Sequence, residues 1–160
     1  IEIKMHFAYK KKIKELKIFL PEMASPVANY VPYKVSNNML FISGQGPIKD
    51  GKVKYEGKIG KNLSAQDGIE AAKLCCINII TIIKYVCNND WNKFQEILKI
   101  GGFVNCVDTF KDQPIIINGA SNLLVDVFGE KGRHSRFAVG TNSLPMNFAV
   151  EIEAVVLLSD

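Results

Sequence analysis

The chain has 160 residues, 48% of them hydrophobic and 22% charged, which supports one buried core and leaves no room for several domains. Its formal charge of +4 is local, because residues 1–17 hold six lysines against two glutamates and the rest carries fourteen basic and fourteen acidic side chains. A balanced body with two arginines lacks the basic stripe that nucleic acid requires, and no run of about 18 uncharged apolar residues is present to span a membrane.

In chain order, residues 1–19 read as a Lys-rich N-terminal extension and 20–160 as one domain. Residues 1–8 lack the apolar stretch and small-residue cleavage site of a secretory signal, and the expected location is cytoplasmic. A short helix is predicted over 9–17, with a solvated lysine face, ending by Leu20 because Pro21 disfavours helical geometry at the residue before it. A basic segment of this kind also serves for partner binding or targeting. Residues 33–35 and 39–43 read as strands across the turn Ser36-Asn37-Asn38, and 47–60 is a Gly- and Lys-rich hairpin or loop that supplies a further short strand.

Ser64 is an N-cap with Asp67 in the first turn, and Ile69, Ala72, Cys76, Ile79, Ile80, Ile83 and Cys87 recur on one helical stripe until Asn88-Asn89-Asp90. Residues 97–107 follow as a strand containing Gly101-Gly102, where missing side chains permit a bulge or the close approach of another group. A second helix starts near Asp112, with Pro114 in its first turn and Ile115, Leu123, Val127 and Phe128 on its apolar side, and Gly129 and Gly132 stop it. Residues 137–142 and 148–158 are the last strands. The sum is an α+β fold, a six-stranded mixed sheet with two helices on one face. Cys75, Cys76, Cys87 and Cys106 show no CxxC pair, so reduced thiols are expected, those on the helix stripe as core.

The C-terminal stretch carries the clearest sign of function. Arg136 is followed by Phe137, Ala138 and Val139, so a permanent cation sits within an apolar strand and should meet a carboxylate or phosphate. The residues alone leave two readings: a ligand clamp, or a salt bridge to Glu151, Glu153 or another subunit. Alternation places Glu151 and Glu153 on one strand face and Val150 and Ile152 on the other.

The run Ser135-Arg136-Phe137-Ala138-Val139, then Leu144-Pro145, then Val150-Glu151-Ile152-Glu153-Ala154 resembles the C-terminal signature of the RidA/YjgF family of small trimeric enamine and imine deaminases. Pro26-Val27-Ala28-Asn29-Tyr30 and Phe41-Ile42-Ser43-Gly44-Gln45 are similar to the family's opening strands, and the similarity runs over about residues 20 to 158. It implies a chorismate mutase-like fold, a homotrimer and a cleft shared between subunits. Arg136 matches the arginine that holds a substrate carboxylate, Glu151 the acid that delivers water, and Tyr30 the cleft tyrosine. Ser43 and Gly44 match the turn facing the ligand, Ala138 offers a backbone N–H, and Asn122 borders the site. Glu151 as a satisfied carboxylate and Tyr30 as core packing are the alternatives. Where many members carry a cysteine two residues after the arginine this chain has Ala138, and two before it has His134, which would sit at the pocket mouth or in a solvated loop.

The implied reaction is cofactor-independent hydrolysis of 2-aminoacrylate-like enamines or imines to a 2-keto acid and ammonia, with no metal. A non-catalytic module binding small carboxylates in the same cleft is the alternative. The family is also described as an endoribonuclease and translation inhibitor, against which the neutral body argues.

Overall fold

The computed structural model describes residues 2–23 and 29–159, with side chains from residue 5 onward; the Pro26 to Ala28 part of the opening motif lies outside them. Helix α1 (Glu2–Glu15) starts well before residue 9. Met5, Tyr9 and Ile13 recur at helical spacing and turn toward the core, while Lys10, Lys11, Lys12 and Lys14 stay exposed. Tyr9 is buried edge-on against Trp91, Phe94 and Phe128, with ring centroids 6.3, 5.8 and 5.1 Å away. One face of the helix is therefore solvated and the other fastens it to the domain.

The main sheet has five strands, not six. It comprises β1 (Tyr33–Ser36), β2 (Met39–Gln45), β5 (Phe94–Asn105), β6 (Ser135–Thr141) and β7 (Val150–Leu158), in the order β1-β2-β7-β5-β6. All neighbours are antiparallel except β5 and β6, which are parallel and joined by a helical crossover. The strand expected within 47–60 is instead a separate hairpin of two-residue strands, β3 (Ile48–Lys49) and β4 (Lys52–Val53). Pro47 has no N–H to give a neighbouring strand, and the left-handed pair Asp50 and Gly51 reverses the chain at once.

Helices α2 (Ala65–Val86) and α3 (Gln113–Phe128) cover one face of the sheet. Ser64 and Asp67 form a reciprocal capping box at the start of α2: the Asp67 N–H donates to Ser64 Oγ at 3.1 Å, and the Ser64 N–H donates to Asp67 Oδ2 at 2.8 Å. Asp112 stands at the N-cap of α3 without a side-chain capping bond. Ile97, Ile100 and Val104 of β5 and Val150, Ile152, Ala154 and Val156 of β7 are buried beneath these helices.

Among the described residues no helix covers the opposite face. Phe41, Phe103 and Val139 are 42, 37 and 42% exposed there, and Phe103 and Phe137 pack edge to face at 5.3 Å with the Lys99 amine over the Phe137 ring. Gly101 and Gly102 allow close approach on both sides: a Cβ on Gly101 would overlap the Phe137 ring, and one on Gly102 would meet Ile117 at 2.5 Å. The register of β5 shifts instead between Phe94 and Glu96 and between Ile97 and Lys99, and a further bulge lies between Ile42 and Gln45, where Ser43 and Gly44 of β2 stand opposite the single Glu153 of β7.

Candidate functional site

That bulge sets one half of the site. Ser43 and Gly44 occupy it, and a Cβ on Gly44 would overlap the Glu151 carboxylate, so glycine is what lets the acid lie across β2. Glu151 alternates with buried Val150 and Ile152 and is itself half-buried, opposite Phe103. Among the described residues it pairs with no cation and accepts no hydrogen bond, and burial raises its pKa. The Ser43 hydroxyl donates to the Val31 carbonyl at 2.8 Å and the Ser43 N–H to Pro32 at 3.0 Å. Those bonds tie the segment bearing Tyr30, which is 54% exposed, to the bulge.

The other half is on edge strand β6. Here Arg136, Ala138 and Gly140 turn toward the helices, and Phe137 and Val139 toward the uncovered face. The half-buried guanidinium donates from Nη1 to Ser121 Oγ at 3.0 Å and from Nη2 to the Pro114 carbonyl at 3.1 Å, both on α3. Neither partner is charged, and no ion pair includes Arg136 among the described residues. The salt-bridge reading is thus not realised within one chain. Of the five N–H donors of a guanidinium, about three are left for another group.

His134 lies behind that guanidinium, across Ser121. Its Nδ1 is 2.6 Å from the Gly132 carbonyl, which can only accept, so Nδ1 carries the proton and Nε2 accepts from the Ser121 hydroxyl at 2.9 Å. Burial lowers its pKa and the Arg136 charge adds to this, while the bond to Gly132 acts the other way. It is half-buried and engaged at both nitrogens, not a solvated loop histidine.

Within one chain the structure brings Ser43, Gly44 and Glu151 together, with the Tyr30 segment beside them. Arg136 and Ala138 stand apart, on a strand separated from β7 by β5 and turned to the other side of the sheet. Asn122 is exposed in a groove between α2 and α3 lined by Ile69, Lys73, Asn118 and Asp126; Ser121 is the α3 residue that meets the guanidinium. Sequence reasoning missed Ser121 and the carbonyls of Pro114 and Gly132. A signal existed for the first: Ser121 is a polar residue on the stripe of Ile117 and Leu124, where a hydroxyl needs a partner.

All four thiols are buried. Burial pushes Cys75 and Cys76 well up, and Cys87 up to about 11. Cys106 lies behind Gly140, accepting from Gln113 Nε2 at 3.6 Å. Among the described residues no three His, Cys, Asp or Glu side chains are grouped to hold a metal ion, and no helix is long and apolar enough to cross a membrane.

Residues 11–158 match the model of a family described as "YjgF/chorismate mutase-like, putative endoribonuclease". The Trypanosoma cruzi protein TCP17 is 37% identical over 149 residues, 92% of either chain. A protein of unknown function from Agrobacterium tumefaciens has the same fold with a TM-score of 0.91 and 42% identity, over 98% of this chain and 96% of that one. A "putative endoribonuclease" of Shewanella oneidensis has the same fold with a TM-score of 0.89 and 30% identity, over 94 and 99% of the two chains. More distantly, the fold is shared with Escherichia coli TdcF, solved with bound serine, at a TM-score of 0.60 and 22% identity over 86 and 94%.

Proposed function

This chain belongs to the YjgF/chorismate mutase-like family, and from that premise we propose that it hydrolyses 2-aminoacrylate-like enamines, through their imine tautomers, to a 2-keto acid and ammonia. The observation that carries the reading is Arg136, a half-buried cation held, among the described residues, by a hydroxyl and a carbonyl, with donors left over for a carboxylate. The serine bound to TdcF is a small amino acid bearing such a carboxylate.

The chemistry demands little. An iminium carbon is already electrophilic, so fixing the substrate carboxylate on Arg136 and presenting one water converts an encounter into an oriented attack. Water oxygen bonds to that carbon and one of its protons passes to Glu151; Glu151 returns that proton to the carbinolamine nitrogen, and the C–N bond breaks to release ammonia as the hydroxyl gives its remaining proton back to Glu151 or to solvent and the carbonyl forms. Burial raises the Glu151 pKa, which makes its carboxylate a better base than an exposed glutamate. No cofactor enters the balance.

Arg136 and Glu151 lie on different strands and sides of one chain, so the working cleft is one in which a second copy supplies one half. The uncovered sheet face with Phe41, Phe103 and Val139 supports close association of copies. The purified protein is expected to be a homotrimer, and light scattering that gives a monomer mass at micromolar concentration would sink that expectation.

A coupled assay tests the activity: a dehydratase generates 2-aminoacrylate in place, and keto-acid formation is followed with and without this protein. No acceleration across several amino-acid precursors would favour a module that only binds small carboxylates, for which Arg136 serves equally. The endoribonuclease description of the relatives is tested by salt-dependent RNA binding; here the two histidines are not paired, His6 lying on α1 against Trp91 and His134 against Ser121. Thiol-blocking reagents are expected to leave keto-acid release unchanged, since all four cysteines are buried and none is at Ala138. Stoichiometric inactivation of protein that stays assembled would overturn this.

A further inference from the structure

We propose that Ser121 and His134 are positioning residues for Arg136, a polarised chain that fixes the guanidinium for a carboxylate; the inference rests on the reading of Arg136 as the clamp. Each link has its direction set by chemistry. Arg136 Nη1 can only donate, so it donates to Ser121 Oγ at 3.0 Å. Gly132 O can only accept, so it takes the His134 Nδ1 proton at 2.6 Å and leaves Nε2 as an acceptor. The Ser121 hydroxyl hydrogen then points to that Nε2, at 2.9 Å, and its lone pairs turn to the arginine. Every donor and acceptor along the chain is used in one sense, and successive bonds of this kind polarise one another.

The far end of the chain is anchored. A Cβ on Gly132 would overlap the Leu124 carbonyl, so the short helix at 129–132 is seated directly on α3 and its last carbonyl has a fixed position. The groups facing His134 leave the neutral ring favoured: Arg136 on β6 is the nearby cation, Ser121 on α3 is uncharged, and Arg133 and Glu130 on the short helix pair with each other at 2.9 Å. Arg136 is on an edge strand, and among the described residues its guanidinium has one other partner, the Pro114 carbonyl. Without Ser121 the planar fork keeps a single anchor and rotates, so its charge survives while its aim is lost.

The probe is pyruvate, a simple 2-keto acid, with affinity followed by calorimetry on the assembled protein and stability by thermal melts. Ser121→Ala and His134→Ala are each expected to raise the pyruvate Kd about tenfold, the scale of losing a hydrogen bond to a charged group. The double variant is expected to lose no more than either single one, because both act through one chain. Ser121→Thr and His134→Gln, which keep a hydroxyl and an acceptor–donor pair, should recover most of the affinity. Arg136→Ala is the control. If it abolishes pyruvate binding while Ser121→Ala and His134→Ala bind as wild type, the positioning role is overturned and the clamp stands. If Arg136→Ala itself binds as wild type, the clamp falls and the positioning role with it. Affinity losses that track a fall in melting temperature, and that His134→Gln does not restore, would reduce both residues to packing and also overturn the proposal.

Discussion

Replacing Arg136 by lysine is expected to lower kcat/KM almost as far as replacing it by alanine, about thirty- to a thousand-fold, while leaving the melting temperature nearly unchanged. Lysine keeps the charge but offers a point donor on a flexible stem. It cannot hold Ser121 and the Pro114 carbonyl together and still present a planar pair of N–H groups to a carboxylate. The loss corresponds to roughly 2 to 4 kcal/mol of transition-state binding. Stability should hold because no acid among the described residues pairs with this cation: removing the guanidinium leaves a hydroxyl still bonded to His134 and a carbonyl near the surface. A salt-bridge arginine would behave otherwise, since Arg136→Ala would strand a buried carboxylate and cost about 3 to 5 kcal/mol. Melting both variants and measuring their keto-acid release decides between the two. A collapsed fold with proportionate loss of activity would refute the clamp.

Much of the fold is legible in local pattern. The stripe from Ile69 to Cys87, the Ser64 cap and the alternation of Val150 to Ala154 each appear in the structure because helix and strand periods are imposed by side chains a few residues apart. Sheet membership is a different kind of fact. Whether Ile48–Lys49 joins the main sheet depends on what Pro47 denies to a neighbour and on how sharply Asp50 and Gly51 turn, and the short run of residues alone reads equally as a sixth strand. The start of α1 was obscured by its lysines. Met5, Tyr9 and Ile13 carry the helical spacing, but their partners Trp91, Phe94 and Phe128 lie far along the chain.

For the site, residue type was more informative than position. A guanidinium in an apolar strand is unusual enough to be read directly, whereas Gly44 is reached through the resemblance, and the structure explains it by the overlap that any side chain on Gly44 would make with Glu151. What surrounds Arg136 was not legible, because it is set by the rotation of α3 about its axis. A shift of one residue on a helix is about 100°, which is the difference between Asn122 in the α2–α3 groove and Ser121 on the arginine. The same register decides that His134 finds a hydroxyl rather than solvent. Nor does any local pattern say that Arg136 and Glu151 occupy different sides of one sheet, which follows from register: Arg136 stands opposite Ile100 and Glu151 opposite Phe103, residues of opposite parity on β5.

Glu151→Gln is expected to lower kcat about a hundred- to ten-thousand-fold, the range spanned by positioned general bases, without loss of stability at neutral pH. The two halves of that expectation have one cause. Burial raises the Glu151 pKa, so the folded protein holds this proton more tightly than the unfolded chain does. Its contribution to stability is therefore fully present below the unfolded carboxylate pKa and is lost as pH rises through the folded value, where the acid ionises against its burial. Glutamine removes that ionisation, so the variant should be at least as stable as wild type at neutral pH, and wild type should gain on it as pH falls toward about 4. Wild-type activity should rise with pH above the ordinary glutamate range, and the residual activity of the variant should lack that limb. Gly44→Ala provides an independent arm, since its methyl would displace the carboxylate and should depress kcat with Glu151 still present. Melting curves and keto-acid release over that pH range test the whole scheme. A glutamine variant clearly less stable than wild type at neutral pH would mean that the carboxylate is held by a cation of a neighbouring copy, and Glu151 would then be a structural acid whose loss of activity follows from a loosened interface.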